Sequence, residues 1–264
     1  MSYLYETHLH TDECSACAHT PARDYVQFYL EQGFKGIIVT DHFYRSVCYV
    51  PDQSAPWRRQ MDEYCRGYEN ALNEGLKRGL DVFFGLEYSF GGDEALVYGI
   101  DKQWLYEHPD MGTWSRRKLF DEVDAAGGCV VHAHPFRVRS YTTHIWLNSN
   151  VHAIEAFNAG NNPQDDLYGI AFAKQFGLPA TAGSDIHQIA QYRPERLYGV
   201  AFDKPWTSIV DYVKAIRTKD PFNLHFELGR DQGKREPLAC EWTYLDRCEQ
   251  PAHWSPDEWG KLNL

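Results

Sequence analysis

The chain has 264 residues and a formal net charge of −11, and this acidity argues against long nucleic acid as a partner. Hydrophobic residues make up 43% of the sequence and aromatic residues 15%, which excludes global disorder and fits one large domain of the α/β barrel type. The first ten residues lack a cationic start, and no window resembles a membrane span, so we expect a cytoplasmic protein that has no membrane partner.

Short β-rich runs alternate with helical stretches along the chain. The strand candidates are residues 3–10, 35–42, 81–90, 95–101, 128–135, 152–158, 178–185 and 197–202, and the helix candidates are 21–32, 57–78, 115–126, 163–176 and 208–217. Strands that alternate with helices pair in parallel through crossovers. About eight short strands in one chain of this length predict a TIM-like barrel.

Prolines and glycines mark the helix ends. Pro21 and Pro163 suit first helical turns, whereas Gly33, Gly79 and Gly177 follow helical runs, as C-terminal caps do. No linker is evident, so we predict a single domain over residues 1–264. Within it, we expect residues 220–264 to form an irregular extension packed on the barrel.

The seven cysteines are odd in number and scattered, which fits reduced thiols better than a disulfide framework. Cys14 and Cys17 form a C-x-x-C pair, but no second pair with zinc-ribbon spacing follows. The spacing alone therefore gives this pair no structural zinc or redox role.

Polar residues with metal-binding side chains lie at the C-terminal ends of most strand candidates. The end segments are 6–10, 40–42, 85–87, 132–135, 155–158 and 183–187. In a parallel α/β barrel, the loops at this end of the strands assemble the active site. We therefore expect these residues to meet.

The spacing of these residues favours metal ligation. Residues two apart on a strand point to the same side, so His8 with His10, and Asp185 with His187, can each present two ligands to one site. One H-x-H alone is also compatible with surface or capping histidines, but five strand ends carry such groups. Imidazoles mixed with carboxylates suit zinc, manganese or iron, and the excess of ligands predicts two or three divalent ions. Such clusters favour attack on phosphorus by a hydroxide that the metal activates.

Five motifs in series resemble the polymerase and histidinol phosphatase (PHP) domain. They are H-x-H at 8–10, T-D-H at 40–42, G-x-E at 85–87, A-H-P at 133–135 and G-S-D-x-H at 183–187. The resemblance implies a distorted (β/α)7 barrel with a trinuclear metal site that hydrolyses phosphoesters. By this resemblance, the residues expected to bind metal, with Glu87 bridging two ions, are His8, His10, His42, Glu87, His134, Asp185 and His187. We give Asp41 a catalytic role, with the orientation of a ligand as the alternative, and Glu6 a supporting role.

The chain departs from the PHP pattern in two places. Relatives usually carry a His or Asp a few residues after H-x-H, where this chain offers Glu13, Cys17 or His19 as substitutes. Many relatives also have a His in the strand after G-x-E. In this chain Glu94 is the candidate ligand at that place, and the alternative is that it is an ordinary exposed glutamate.

A phosphate usually needs a cationic side chain in addition to metal ions. Arg137 follows the A-H-P motif. We expect its guanidinium to bind the phosphate through two hydrogen bonds and so to contribute to catalysis. The alternative is a surface arginine paired with one of the many acidic residues. His144, in the same loop, and Asn158 are further candidates for substrate binding.

The predicted function is a metal-dependent phosphoesterase acting on a small phosphorylated metabolite or nucleotide. The alternative substrates are short oligonucleotides or nucleoside bisphosphates, cleaved by an exonuclease. An amidohydrolase is a rival, but no lysine occupies the strand-end position that those barrels use. From another class, the chain could be a metal-binding module that has lost catalysis. The oligomeric state is left open.

Overall fold

The computed structural model describes residues 2–44, 46–140, 142–238 and 240–252. The strands of these residues are β1 (Tyr3–Glu6), β2 (Gly36–Val39), β3 (His42–Phe43), β4 (Asp81–Ser89), β5 (Glu94–Tyr98), β6 (Cys129–Ala133), β7 (His144–Asn148), β8 (Ala153–Asn158), β9 (Ala180–Gly183), β10 (Gly199–Phe202), β11 (Asn223–His225) and β12 (Glu241–Leu245). The helices are α1 (Ala22–Glu31), α2 (Trp57–Tyr64), α3 (Arg66–Arg78), α4 (Lys102–Glu107), α5 (Arg116–Ala125), α6 (Pro163–Phe176) and α7 (Ile209–Thr218).

One large sheet curves into a nearly closed barrel. Its strand order is β11-β10-β1-β2-β4-β5-β6-β8-β9, with the short β3 paired to β4 beyond the end of β2. The last strand, β9, lies beside β10 and β11, which brings the two edges of the sheet together. The predicted α/β class with a distorted TIM-like barrel is therefore confirmed.

The prediction of parallel pairing throughout the barrel was wrong. The strands β4, β5 and β6 are joined antiparallel, as are β1, β10 and β11. Between β4 and β5 the chain reverses in a tight turn, in which Phe90 N–H donates to Asp93 O at 2.9 Å and Gly91 has a φ of 84°. So short a connection permits only an antiparallel pair, since a parallel crossover needs a dozen or more residues.

The helix ends follow the predicted signals, with one interruption. Gly79 and Gly177 cap α3 and α6 in the left-handed conformation, and Pro163 opens α6. The single helix predicted over 57–78 is divided at Cys65 into α2 and α3.

The core lies between the sheet and the helices that cover it. On α1, the buried side chains of Tyr25, Val26 and Tyr29 pack in one cluster with Ile37 and Val39 of β2. Each fully buried aliphatic side chain contributes about 1.5–3 kcal/mol. This packing fixes β2 and therefore the residues that follow it in the chain.

The C-terminal segment is more regular than predicted. Within residues 220–252, β11 extends the barrel sheet, and β12 pairs in parallel with β7 over five residues. The β12 sequence is a short run rich in aromatic and β-branched residues, which suits a strand. The rest of the predicted extension, 253–264, lies outside the described residues. Among the described helices, none has the length and apolar character needed to span a bilayer.

Candidate metal centre

The structure brings all the predicted core ligands to one end of the barrel. They follow β1, begin β3, lie within β4 and β5, or follow β6 and β9. The groups of three whose ligand atoms lie within 4.8 Å of one another include His8, His10, His42, Glu87, Glu94, His134, Asp185 and His187. Parallel strands meet at this end, so the prediction of convergence follows from the topology.

Glu87 lies at the centre of the cluster. Its Oε1 is 3.0 Å from His134 Nε2 and 3.3 Å from His8 Nε2. Its Oε2 is 2.8 Å from His42 Nδ1 and 3.4 Å from His10 Nε2. With imidazoles near both of its oxygens, this carboxylate connects the candidate metal groups on its two sides.

A second group surrounds Asp185. Its Oδ1 is 3.1 Å from His10 Nε2 and 3.4 Å from His8 Nε2, and the two imidazole nitrogens are themselves 3.1 Å apart. Four ligand atoms from three strand ends therefore surround one point when Glu87 is included.

The buried polar atoms of the cluster fit a metal site. Among the described residues, His10 Nδ1 is buried without a hydrogen-bond partner, and the buried His42 Nδ1 and Glu87 Oε2, 2.8 Å apart, form no well-aligned hydrogen bond. Leaving a polar group buried without a partner costs about 1–3 kcal/mol, and native proteins rarely tolerate several such groups together. Divalent ions bound by imidazole and carboxylate would give these groups partners, and the donor set suits such ions.

Electrostatics prepare the carboxylates for this role. Burial alone would raise the pKa of Glu87, but the neighbouring imidazoles of His8 and His42 hold it well below its usual value. Asp185 behaves alike: burial opposes ionisation, yet Arg137 and His8 keep its pKa well below the usual range. For Glu94, burial and the nearby Glu87 raise the pKa to about 7. Metal ions bind deprotonated ligands, so Glu87 and Asp185 are already in the form that binds, whereas His8 and His42, whose pKa the same carboxylates raise, would release protons on metal binding.

Glu155 contacts His8 closely, a role that its place in the strand end 155–158 did not reveal. Its Oε1 is 2.9 Å from His8 Nδ1, while Oε2 accepts from His134 N–H at 3.0 Å and from Asn158 Nδ2 at 2.9 Å. A proton on Nδ1 that is shared with Glu155 leaves the lone pair of Nε2 facing the cluster. The available signal was a carboxylate in the middle of β8, all of whose residues are buried.

Glu6 joins the segments that carry the ligands. Its Oε1 accepts from the backbone N–H of His8 and of Ser184, both at 2.9 Å, and its Oε2 accepts from Tyr29 OH at 2.7 Å. Burial raises its pKa to about 7. Glu6 thus ties the end of β1 to the end of β9 and to α1.

The contacts of Asp41 favour the positioning role that the sequence offered as the alternative to a catalytic one. Oδ1 accepts from Thr11 N–H and from Ser15 Oγ, both at 2.7 Å, and Oδ2 accepts from Thr11 Oγ1 at 2.7 Å. With both oxygens bound inside the protein, this carboxylate organises the loop that follows His10.

Of the three candidates for the position after H-x-H, the structure brings Cys17 to the cluster. Cys17 forms a candidate metal group with His42 and Cys48. Glu13 instead accepts from Ala22 N–H at 2.9 Å, where it caps α1, and His19 is exposed. The side chain of Glu13 is therefore engaged at the N-terminus of α1 and not at the cluster.

The candidates for substrate binding differ in their position: Arg137 and Asn158 belong to one hydrogen-bonded network beside the cluster, whereas His144 lies on β7. Arg137 is held in place: its Nη1 is 2.6 Å from Asp185 Oδ2, its Nε donates to Asn161 Oδ1 at 2.9 Å, and its Nη2 donates to Asn158 Oδ1. Asn158 is buried and links Arg137 to Glu155, which makes it a part of the scaffold. His144 lies apart on β7, where its Nε2 is 2.9 Å from Thr243 Oγ1.

A cavity of about 420 Å³ opens beside the cluster. Glu94 and His134 lie where it meets the metal ligands, and Arg137, Arg139 and His144 also line it. The size is that of an ordinary small-molecule pocket. A phosphate placed at its inner end would therefore contact candidate ligands and arginine together.

Two of the candidate ligands have backbone conformations that the sequence does not reveal. His134 has a φ of 28° and Asp185 a φ of 53°, in the left-handed region that few residues other than glycine adopt. Such conformations cost about 1–3 kcal/mol and concentrate at functional sites. At both positions the side chain turns into the cluster.

The fold and the donor set together define an α/β barrel with a candidate site for divalent metal ions at one end. No protein-family model matches the chain. Its fold is similar to that of a two-domain protein from Bacteroides vulgatus containing a predicted PHP-like metal-dependent phosphoesterase, with a TM-score of 0.63 and 16% identity over 86% of this chain and 65% of that one. A protein from Bifidobacterium adolescentis, described as a metal-dependent phosphoesterase, gives a TM-score of 0.50 and 14% identity over 69% of this chain and 87% of that one.

Among curated proteins, a probable histidinol-phosphatase from Deinococcus radiodurans is 38% identical over 101 residues. The match covers 37% of this chain and 36% of that protein, so the chain aligns with about a third of the relative's length. These comparisons confirm the predicted resemblance to the PHP domain, and the solved structures confirm the fold that it implied.

Proposed function

We propose that the protein is a metal-dependent phosphoesterase that hydrolyses a small phosphorylated metabolite or nucleotide. The observation that carries this proposal is the cluster around Glu87 and Asp185, which borders, through Glu94 and His134, a cavity that Arg137 and Arg139 also line. The relatives described as phosphoesterases and as a probable histidinol-phosphatase support the same reaction type.

The proposed ligands divide into two sets, each of which would hold one ion. His8, His10, Glu87 and Asp185 would hold one ion, and Glu87, Glu94 and His134 a second, with Glu87 common to both. Bound divalent ions would supply charge neutralisation at phosphorus and a water of lowered pKa. Zinc, manganese and iron all suit this mixture of donors.

The remaining residues of the site position the substrate. Arg137 is fixed by Asp185 and Asn158, so its guanidinium is ordered before substrate arrives and less rotamer entropy is lost on binding. Arg139 and His144 lie further along the cavity and would contact the group that carries the phosphate. The bounded cavity and the net charge of −11 favour a small monoester over a nucleic-acid strand.

The test compares two synthetic substrates after metal removal and reconstitution with Zn²⁺, Mn²⁺ or Fe²⁺. We expect turnover of p-nitrophenyl phosphate that depends on metal, and little turnover of bis(p-nitrophenyl) phosphate. Preference for the diester would instead favour the exonuclease. Bound metal without hydrolysis of either compound, or of a phosphorylated-metabolite panel that includes histidinol phosphate, would favour the degenerate module.

Two variants accompany this assay. Glu87→Gln keeps the shape of the side chain but removes the bridging charge, and we expect it to lose activity and bound metal. Asp121→Asn changes an exposed acid on α5 and serves as the matched control with unchanged activity.

A further inference from the structure

We propose that Cys17, Cys48 and His42, with His187 as the fourth donor, form a thiolate-containing zinc subsite at the edge of the cluster. The two sulfur atoms and a ring nitrogen of His42 lie within 4.8 Å of one another. His187 lies beside this group, because it belongs with His42 and His10 to a second candidate metal group. This inference rests on the proposed metal-dependent function and specifies one of its ions.

The backbone holds the two cysteines together. Ser15 and Tyr49 form an antiparallel bridge, and Ala16 N–H donates to Cys48 O at 2.7 Å. This pairing places the segment that carries Cys17 against the segment that carries Cys48. Two cysteines 31 positions apart in the chain therefore meet because of a defined contact between loops.

Further hydrogen bonds fix this pair relative to the two histidines. His42 N–H donates to Ser15 Oγ at 3.1 Å, and His19 N–H donates to His187 O at 2.8 Å. The short segment 15–19 is thus attached at one end beside His42 and at the other beside His187. Cys17, in the middle, lies between the two imidazoles.

The spacing suits a tetrahedral zinc ion. Zn–S bonds of about 2.3 Å and Zn–N bonds of about 2.0 Å place neighbouring donors roughly 3.3–3.8 Å apart. The ligand atoms of Cys17, His42 and Cys48 lie within 4.8 Å of one another, so a contraction of about 1 Å or less would bring them to these distances. Both cysteines are only partly buried, so that an ion can reach them.

The chemistry of the donors distinguishes this subsite from the rest of the cluster. Thiolates favour soft or borderline ions such as Zn²⁺ and disfavour Mn²⁺, whereas the carboxylate-rich ligands around Glu87 and Glu94 accept harder ions. The two parts of the centre would thus differ in selectivity. The C-x-x-C partner of Cys17 has another role, because Cys14 is buried and donates to Tyr64 O at 2.7 Å.

Substitution with Co²⁺ tests the proposal directly. Thiolate ligation of Co²⁺ produces a charge-transfer absorption in the near ultraviolet that imidazole and carboxylate ligands do not produce. The reduced, metal-free protein is titrated with Co²⁺ as wild type and as Cys17→Ser, Cys48→Ser and Cys248→Ser variants. Cys248 is an exposed cysteine outside the cluster, so its variant is the matched control.

We expect the absorption in the wild type and the control, its loss in both Cys17→Ser and Cys48→Ser, and one bound ion fewer in those two variants. Bound Co²⁺ without the absorption in the wild type would overturn the thiolate subsite while leaving the proposed phosphoesterase intact. A wild-type protein that binds no Co²⁺ would overturn both.

A second measurement applies if either variant fails to fold. Wild-type protein is alkylated with iodoacetamide with and without Zn²⁺, and the labelled cysteines are identified by mass spectrometry. We expect Zn²⁺ to protect Cys17 and Cys48 but not Cys248. Equal labelling of Cys17 and Cys48 in the two conditions would overturn the subsite.

Discussion

Gly183 is the position at which one added methyl group should disturb the metal centre most. A Cβ on this residue would lie 2.6 Å from both Glu155 Oε1 and His8 Cβ, so His8 would have to move by about 0.8 Å to reach an ordinary contact of 3.4 Å. Overpacking of this kind costs about 1–3 kcal/mol. A shift approaching 1 Å at a reacting centre costs roughly 100-fold in rate. We therefore expect Gly183→Ala to fold with a Tm lowered by several degrees and to lose about two orders of magnitude in kcat/KM.

The assay combines thermal unfolding, metal content and hydrolysis of p-nitrophenyl phosphate. Gly127→Ala is the control: its φ of 80° makes a side chain strained, but nothing lies within 4 Å of the added Cβ. This control should lose stability by about 1–2 kcal/mol and keep its metal and its activity. If Gly183→Ala retained wild-type metal content and rate, the packing of Gly183 against His8 and Glu155 would not be what sets the ligand geometry.

Three further substitutions test separate parts of the site. Glu155→Gln should weaken Zn²⁺ affinity about 10–100-fold in a competitive titration, because the partner that orients His8 loses its charge; unchanged affinity would contradict that role. Arg137→Lys should raise KM for a phosphomonoester more than it changes the Tm, since lysine lacks the planar fork that now binds Asp185 and Asn158; an unchanged KM would remove Arg137 from phosphate binding. Asp41→Asn should lower the Tm because it weakens three hydrogen bonds, each worth about 1.5–3 kcal/mol. Loss of kcat at an unchanged Tm would restore the catalytic role that the sequence suggested for Asp41.

The convergence of the candidate ligands was predictable from sequence, because spacing along the chain and strand order are sufficient to bring these residues together. His8 and His10 are two residues apart, and the carboxyl ends of parallel strands meet at one end of a barrel. The same reasoning placed Glu87 and Asp185 at this end of the barrel, because each lies at the carboxyl end of a strand candidate. Neither inference required knowledge of loop geometry.

Contacts between loops explain what the sequence did not predict. Cys48 reaches Cys17 through the bridge between Ser15 and Tyr49, and no periodic pattern encodes such a bridge. The role of Asp41 depends on which donors surround it, and the antiparallel β5 depends on a single tight turn. Glu155 was visible as a charge in a buried strand, but its partner His8 lies 147 positions away.

The proposed metal centre is tested most directly by elemental analysis, which measures the number of Zn²⁺ ions bound per chain after reconstitution of the wild-type protein and of Glu87→Gln. We expect two or three ions per wild-type chain, because the candidate ligands form several groups, two of which share Glu87, and a loss of at least one ion in the variant. Fewer than two ions per wild-type chain, or an unchanged content in Glu87→Gln, would contradict the proposed metal centre.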